Sequence, residues 1–247
     1  MAPLAYDESG RLRTLLDAVQ PRSPHNSHHT PIVECADSCL CPPTCLNRVV
    51  SRGLRVSLTV FWTRDGRGWG VRAAQPLRRG QFVCEYAGEI LSSAEAQARR
   101  RATAQTREDD GGDGSNPDSN YYIMSVVEHV GAPRRAMTTT IDPTKCGNVG
   151  RYLNHSCAPN LEVQLVRCGS FVPRVAFFSS RDVAIGEELT FHYGSAQHEA
   201  QPTDDEKRDG TRRPVPVRRR PCRCGAPGCA KWLPFDGSAD GSASFTG

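Results

Sequence analysis

The sequence of 247 residues contains no apolar run that approaches a membrane span, and its first residues lack the apolar stretch of a secretory signal. Aromatic residues make up only 7% of the chain, and the net charge of +4 is too small to indicate a polyanionic partner by itself. These absences predict a soluble, intracellular protein with a small core and no membrane partner. The length predicts one domain, with room for a small appendage.

The eleven cysteines are the most informative part of the composition. Their odd number, in a chain without an export signal, argues against a disulfide framework and favours metal binding. Most of them fall into two compact clusters that flank a central body. The N-terminal cluster contains Cys35, Cys39, Cys41 and Cys45, and the C-terminal cluster contains Cys222, Cys224 and Cys229.

Between the clusters, the sequence predicts a mixed domain of many short strands. One helix is predicted over 92–101, and a helical stripe runs from Leu12 to Val19. Polar residues at 102–119 and 196–217 predict two unstructured segments. Apolar runs bounded by turn-forming residues predict strands at 54–61, 70–74, 82–90, 121–127, 138–142, 162–166 and 175–180.

Two segments carry unusual combinations of polar and aromatic residues. The stretch 147–160 contains Asn154, His155 and Cys157 next to apolar residues, which suggests a polar loop fixed into a core rather than an ordinary turn. A second stretch, EELTFHYG, ends a β-type run with Phe191 and Tyr193. The two-residue period of a strand would place both rings on the same face.

With these segments, the chain resembles the SET-domain protein lysine methyltransferases of the pre-SET/SET/post-SET class, which act on histone H3. The resemblance covers about residues 31–237. Within the class, residues 47–54 and 232–236 resemble the methyltransferase half of members that are fused to a mariner transposase. The matching motifs, in family order, are RGWGV (67–71), CEYAGEI (84–90), RYLNHSCAPN (151–160), GEELTFHYG (186–194) and CRCGAPGC (222–229).

The resemblance implies a mostly β fold with minor α, made of short sheets with a C-terminal pseudoknot. Zinc-binding pre-SET and post-SET segments would flank it, the pre-SET segment being only partial. The implied organisation is a variable N-terminal segment (1–30), a truncated pre-SET segment (31–48), a SET domain (54–195) with a disordered insert (102–119), a flexible linker (196–217), a post-SET segment (218–237) and a tail (238–247).

The resemblance also implies how the C-terminal cysteines bind zinc. Cys222, Cys224 and Cys229 supply three thiolates, whereas a closed structural zinc site needs four. In the family, the fourth ligand is the cysteine of the NHSC motif, which is Cys157 here. The shared metal would fasten a short tail that cannot form its own core. The alternative is a set of reduced surface cysteines.

The N-terminal cysteines depart from the family pattern. Cys35, Cys39, Cys41 and Cys45 match the second half of a nine-cysteine array that holds three zinc ions, and the five preceding cysteines are absent. Four thiolates are enough for one tetrahedral zinc but not for a three-metal cluster. A partly metal-free, mobile segment is the alternative.

For the cofactor, the resemblance implies S-adenosylmethionine, bound by residues from four motifs. The loop of Arg67, Gly68 and Trp69 would contact it through the backbone. Tyr122, or alternatively Tyr121, matches a family tyrosine that opens a strand. The remaining implied contacts come from Arg151, Asn154 and His155, and from Trp232, whose ring would cover the adenine.

Catalysis by such an enzyme requires a neutral substrate lysine, although a free lysine has a pKa near ~10.4. A dry aromatic channel disfavours the ammonium form. The resemblance assigns Tyr193 as the catalytic tyrosine and Tyr86 as the second tyrosine of the channel. Phe191 stands at the position that sets the product state, and a phenylalanine there predicts di- or trimethylation. His192 replaces the usual aspartate.

The implied partner is the histone H3 tail of the nucleosome, which places the protein in the nucleus on chromatin. The motifs leave lysine 9 and lysine 36 of H3 both open as targets. The arginine runs Arg99–Arg101 and Arg218–Arg220 suggest a DNA contact, with a solvated surface as the alternative. The rival hypotheses are a non-catalytic chromatin-binding zinc module, an unstable truncated form, and a methyltransferase for a non-histone lysine.

Overall fold

A computed structural model describes residues 4–17, 32–109, 122–130, 135–195 and 220–234. Within these ranges the chain forms short strands, two helices and three single 3₁₀ turns. The 3₁₀ turns are Val50–Arg52, Val149–Tyr152 and Tyr193–Ser195. In chain order the other elements are α1 (Arg13–Leu16), β1 (Ile32–Glu34), β2 (Leu58–Trp62), β3 (Trp69–Ala73), β4 (Phe82–Tyr86), β5 (Glu89–Leu91), α2 (Ser93–Asp109), β6 (Met124–Val130), β7 (Arg135–Asp142), β8 (Asn154–His155), β9 (Leu161–Cys168), β10 (Arg174–Ser179) and β11 (Glu188–Phe191).

The strands form three small sheets, with the orders β1-β9-β10-β4, β2-β3-β11-β8 and β5-β7-β6. Neighbouring strands are antiparallel except for the pairs β1–β9 and β8–β11. The prediction of a mostly β protein with minor α is confirmed. No helix in the described ranges is long and apolar enough to cross a membrane.

The insert predicted to be unstructured over 102–119 begins as a helix. α2 continues from the predicted helix through Asp109, because residues 102–109 lack glycine and proline and include two alanines, a glutamine and a glutamate. The prediction is therefore wrong for 102–109, and residues 110–119 lie outside the described ranges.

The predicted strand 82–90 is divided into β4 and β5 at Ala87 and Gly88. A side chain at Gly88 would place its Cβ 2.6 Å from the Asp142 carbonyl, so the chain passes closely against the end of β7 there. This close approach redirects the chain from the first sheet to the third.

The C-terminal part of the domain is inserted between two earlier strands. β11 pairs antiparallel with β3 on one side and parallel with β8 on the other. The buried amide of Asn160 holds this crossing, since its Nδ2 donates to the Glu188 carbonyl at 2.8 Å and its Oδ1 accepts from the Thr190 N–H at 2.9 Å. This is the arrangement that the predicted C-terminal pseudoknot requires.

Strand β10 separates two apolar cores and is buried on both faces. Val175 and Phe177 belong to the larger core between the sheets, whereas Ala176 and Phe178 belong to a second core on the opposite face. The N-terminal segment completes the second core through its fully buried side chains Tyr6, Leu12 and Leu15. Residues 4–17 are therefore part of the folded domain.

A buried carboxylate anchors this N-terminal segment. Glu34 accepts a hydrogen bond from the Tyr6 hydroxyl at 2.7 Å and from the backbone N–H groups of Val49, Val50 and Ser51 at 3.0, 2.7 and 2.9 Å. Burial raises the pKa of Glu34, but these hydrogen bonds outweigh it and lower the pKa below its ordinary value. The negative charge of Glu34 is thus buried, and these hydrogen bonds compensate for its lost hydration.

We expect Leu12→Ala to lower the free energy of unfolding by about 2–4 kcal/mol, because it leaves a cavity in a fully packed site. Leu4→Ala is the matched control, since Leu4 is 46% exposed in the same segment. Urea unfolding followed by circular dichroism measures both. Equal stability of the two variants would show that residues 4–17 do not belong to the cooperative unit.

Candidate functional site

Four aromatic side chains lie in contact where β4, β10 and β11 converge. The Phe177 ring is 4.8 Å from Phe191 and 6.4 Å from Tyr86, and the Phe191 ring is 4.9 Å from Tyr193. β11 ends at Phe191, and Tyr193 begins the following 3₁₀ turn. The two rings therefore meet through the turn, and strand alternation is not the cause of their contact.

Both tyrosine hydroxyls of this aromatic cluster donate to backbone carbonyls. Tyr193 donates to Leu153 at 3.1 Å, and Tyr86 donates to the carbonyl of Tyr122. Burial raises the pKa of Tyr193 to about 12 and also raises the pKa of Tyr86. Both phenols therefore stay neutral at physiological pH, where they serve as fixed hydrogen-bond donors and not as bases.

The His155 ring connects the aromatic cluster to a group of cysteines. Its Nδ1 accepts the Tyr193 backbone N–H at 3.1 Å, so the ring hydrogen lies on Nε2, which is 3.4 Å from the Cys157 sulfur. Burial, and then repulsion from His192, lower the pKa of His155 to about 4. The ring is therefore neutral and engaged at both nitrogens.

The C-terminal cysteines form a complete metal-ligand set with Cys157. The four Sγ atoms of Cys157, Cys222, Cys224 and Cys229 lie within 4.8 Å of one another, and Cys157 is 3.9 Å from Cys222 and from Cys229. Tetrahedral zinc, with Zn–S bonds of about 2.3 Å, requires sulfur separations of about 3.8 Å. Donor chemistry and spacing both fit one zinc ion.

At the N-terminal cluster, the structure brings together three of the four predicted ligands. The sulfurs of Cys35, Cys41 and Cys45 lie within 4.8 Å of one another, but Cys39 lies outside the group. A turn closed by the Cys39 N–H on the Ala36 carbonyl leaves this cysteine exposed. The predicted site of four thiolates is therefore corrected to one of three, which fits a metal only with a further ligand.

The loop between β2 and β3, residues 63–68, is held by a network of charged groups. Arg67 donates to both oxygens of Glu188, at 3.0 and 2.8 Å, and also pairs with Asp65. Partial burial raises the pKa of Asp65, but hydrogen bonds from Arg67 and Thr63 outweigh it and lower the pKa to about 2. The Arg67 side chain is thus engaged within the protein, and its backbone N–H also donates to Asp65 Oδ1 at 3.1 Å.

Asn154 joins this loop to the NHSC segment. Its Nδ2 donates to the Trp69 carbonyl and to Glu188 Oε1, both at 3.0 Å. The sequence did not single out Glu188, although it lies within the GEEL stretch beside the fully buried Leu189. The indication available in the sequence was an acidic residue inside a buried β-type run, which suggests pairing with a basic side chain.

Arg151 contacts two aromatic rings and donates from Nη1 to the Thr144 carbonyl at 3.2 Å. Its guanidinium lies 4.4 Å from the Tyr122 ring centroid and 5.3 Å from that of Tyr152. Its Nε is inaccessible to solvent and has no hydrogen-bond partner among the described residues. Tyr122 takes part in this arrangement, and Tyr121 lies outside the described residues.

Three tryptophans present large exposed ring surfaces. Trp62 and Trp69 flank the predicted cofactor loop, and Trp232 lies in the C-terminal tail, residues 220–234. Trp69 packs edge-on against Trp62 with ring centroids 5.3 Å apart, and both are about half exposed. Trp232 is 47% exposed and is held by a backbone bridge to Pro221. Gly68, at the end of the loop, has a φ of +83°, which favours glycine there.

Two of the three residues in the first arginine run are engaged within the protein. Arg99 pairs with Glu89, Glu95 and Asp142, and the buried Arg100 donates to Ser125. Arg99 and Arg100 thus hold α2 against the third sheet, whereas Arg101 is exposed, so a DNA contact of this run stays a prediction. In the second run, Arg218 and Arg219 lie outside the described residues.

Comparison with known proteins gives one family. A family model described as SET domain matches residues 68–194. Mouse histone-lysine N-methyltransferase SETMAR is 43% identical over 209 residues, which are 84% of this chain and 62% of the mouse protein. The chain therefore spans about three fifths of the length of that relative.

Solved structures agree with this result. The methyltransferase domain of human SETMAR matches with a TM-score of 0.69 at 33% identity, covering 95% of this chain and 74% of that one. KRYPTONITE, solved with mCHH DNA, an H3(1–15) peptide and SAH, matches with a TM-score of 0.55 at 31% identity, covering 81% of this chain and 34% of that one. The predicted resemblance to this class, including its likeness to the methyltransferase half of SETMAR, is confirmed.

We expect Cys157→Ser to reduce the zinc content by one ion per chain, since it removes the ligand that joins the tail to the domain. Native mass spectrometry measures the stoichiometry, and limited proteolysis should cut residues 220–234 faster in the variant. Cys146→Ser is the matched control, because Cys146 is exposed and belongs to neither cysteine group. Unchanged zinc content in Cys157→Ser would contradict the assignment.

Proposed function

Since this chain belongs to the SET-domain family, we propose that it is a protein-lysine N-methyltransferase that uses S-adenosylmethionine and modifies a lysine of the histone H3 tail. The relatives support this activity by name, and KRYPTONITE has been solved with an H3 peptide and SAH. A histone substrate places the protein in the nucleus on chromatin.

The observation that carries the proposal is the aromatic cluster of Tyr86, Phe177, Phe191 and Tyr193 beside the NHSC segment. Its two phenols are neutral and held in place by backbone carbonyls. An aromatic, water-poor environment with fixed hydroxyl groups suits an uncharged amine.

The residues proposed to hold the cofactor lie on both sides of this cluster. Arg151 would bind its carboxylate, the loop with Arg67, Gly68 and Trp69 would contact it through the backbone, and Asn154 and His155 would fix that loop and the neighbouring strand. Tyr122 and Trp232 would contribute ring surfaces, the latter to the adenine. When bound, S-adenosylmethionine supplies a methyl group activated by a sulfonium centre.

The chemical task of the protein is to present the lysine in its neutral form. In water at neutral pH, about one lysine in a thousand or fewer is neutral, given a pKa near ~10.4. Burial among aromatic rings lowers the pKa of a lysine, and the pKa of Tyr193 is raised, so its hydroxyl stays protonated and donates its one hydrogen to the Leu153 carbonyl. The Tyr193 oxygen would then accept an N–H of the amine and leave the nitrogen lone pair for the methyl group. Orientation of the amine for in-line attack supplies the rest of the rate enhancement.

Phe191 would determine how many methyl groups are added. Its ring packs between Phe177 and Tyr193 and is almost fully buried. A phenylalanine leaves room that a tyrosine hydroxyl would occupy and adds no hydrogen bond that restrains a methylated amine. We therefore propose di- or trimethylation as the product state.

We expect Tyr193→Phe to lower kcat about 10- to 100-fold, because it removes one oriented hydrogen bond at the reacting amine. Radiolabelled methyl transfer to H3 measures the rate. Tyr6→Phe is the control for loss of a buried hydroxyl far from the aromatic cluster, with a thermal melt to verify folding. Activity equal to that of the wild type would exclude the assigned role. A wild type that binds H3 peptide but no cofactor would favour a non-catalytic chromatin-binding module.

We expect Phe191→Tyr to shift the products towards monomethyl-lysine, since the added hydroxyl fills the space for further methyl groups. Mass spectrometry of H3 peptides that span residue 9 and residue 36 reports the target and the degree of methylation together. A peptide with a non-histone lysine serves as the comparison substrate. An unchanged ratio of mono-, di- and trimethyl products would contradict the role of Phe191.

A further inference from the structure

Arg223 stands between two ligands of the four-cysteine group and reaches out to the β2–β3 loop. It follows Cys222 and precedes Cys224, so a metal held by the cysteines fixes its backbone on both sides. Its Nη1 donates to the Asp65 carbonyl at 3.0 Å. The C-terminal tail (residues 220–234) therefore contacts the loop that is proposed to bind the cofactor, although the two segments are far apart in the sequence.

The loop approaches this guanidinium so closely that a side chain at Gly66 would displace it from its present position. A Cβ built on Gly66 would overlap Arg223 Nη1, and the φ of +82° at Gly66 is one that favours glycine. The two segments are thus shaped to each other, since both the backbone conformation and the absence of a side chain permit the contact.

On its other side, the loop is tied to the same cysteine group through the domain. The Asp65 carboxylate pairs with Arg67, whose guanidinium binds Glu188, and Glu188 accepts from Asn154. Asn154 lies three residues before Cys157, the ligand that the domain contributes. The contacts therefore connect the loop to the four-cysteine group by two routes, one through Arg223 and one through Asn154.

We propose that Arg223 is a positioning residue that fixes the β2–β3 loop on the metal-bound tail and thereby increases the affinity for the cofactor. The part of this inference that concerns affinity rests on the proposed function, whereas the ordering of the loop does not. Arg223 is exposed, its contact is a single charge-assisted hydrogen bond, and the effect is accordingly moderate.

Arg223→Ala should raise the Kd and KM for S-adenosylmethionine about three- to tenfold with little change in kcat and with unaltered zinc content. Arg223→Lys, which keeps the charge, should recover part of the affinity. Arg55→Ala is the control for loss of one exposed cation elsewhere on the surface. Calorimetry gives the Kd, and native mass spectrometry gives the zinc count.

Hydrogen exchange provides a readout that needs no cofactor. In Arg223→Ala, the amides of residues 64–68 should exchange about three- to tenfold faster, whereas those of β10 should not change. Removal of zinc from the wild type should accelerate the same loop amides, but in Arg223→Ala it should add less, because one of the two connections between the loop and the cysteines is already broken.

The results separate failure of this inference from failure of the proposed function. A wild type that does not bind the cofactor removes the proposed function, while the exchange experiment still tests the link. Unchanged loop exchange in Arg223→Ala would overturn the inference. So would an equally large effect of zinc removal in the variant and in the wild type.

Discussion

The position of the C-terminal tail depends on one thiol that the folded body contributes, Cys157. None of the described tail residues, 220–234, is fully buried, so the tail has no apolar core with which to hold itself in place. Four sulfurs at tetrahedral spacing replace that core. Because Cys157 follows β8 by two residues, the same constraint also fixes the segment that borders the aromatic cluster.

The connection from metal ligand to aromatic ring is short. His155 lies between the Cys157 sulfur and the Tyr193 backbone and keeps one tautomer because each ring nitrogen has its own partner. Neutral phenols, a neutral imidazole and fixed carbonyls therefore surround the proposed site. Charged groups are instead gathered in the Asp65–Arg67–Glu188 network, where they hold the loop without presenting a charge to the amine.

The family resemblance carried by the five motifs was sufficient to predict the fold class and the pairing of Cys157 with the three tail cysteines, because each motif is a local pattern of residues. Contacts between distant stretches were not predictable in this way. The structural role of Glu188 depends on Arg67, 121 residues earlier, and that of Glu34 depends on Tyr6 and the turn that follows Val49. Cys39 was misjudged because ligand spacing ignores the turn that displaces it, and the end of α2 because composition alone suggested disorder.

The burial of β10 on both faces gives the N-terminal segment an influence that its distance from the reaction would not suggest. Phe178 packs under Tyr6, while its neighbour Phe177 supports Tyr86 and Phe191. Because β10 is a single strand between two close-packed cores, a displacement of the strand by side chains on one face also moves the side chains on the other face. Selection on the shape of the aromatic cluster therefore also limits how far the N-terminal residues on the opposite face of β10 can diverge during evolution.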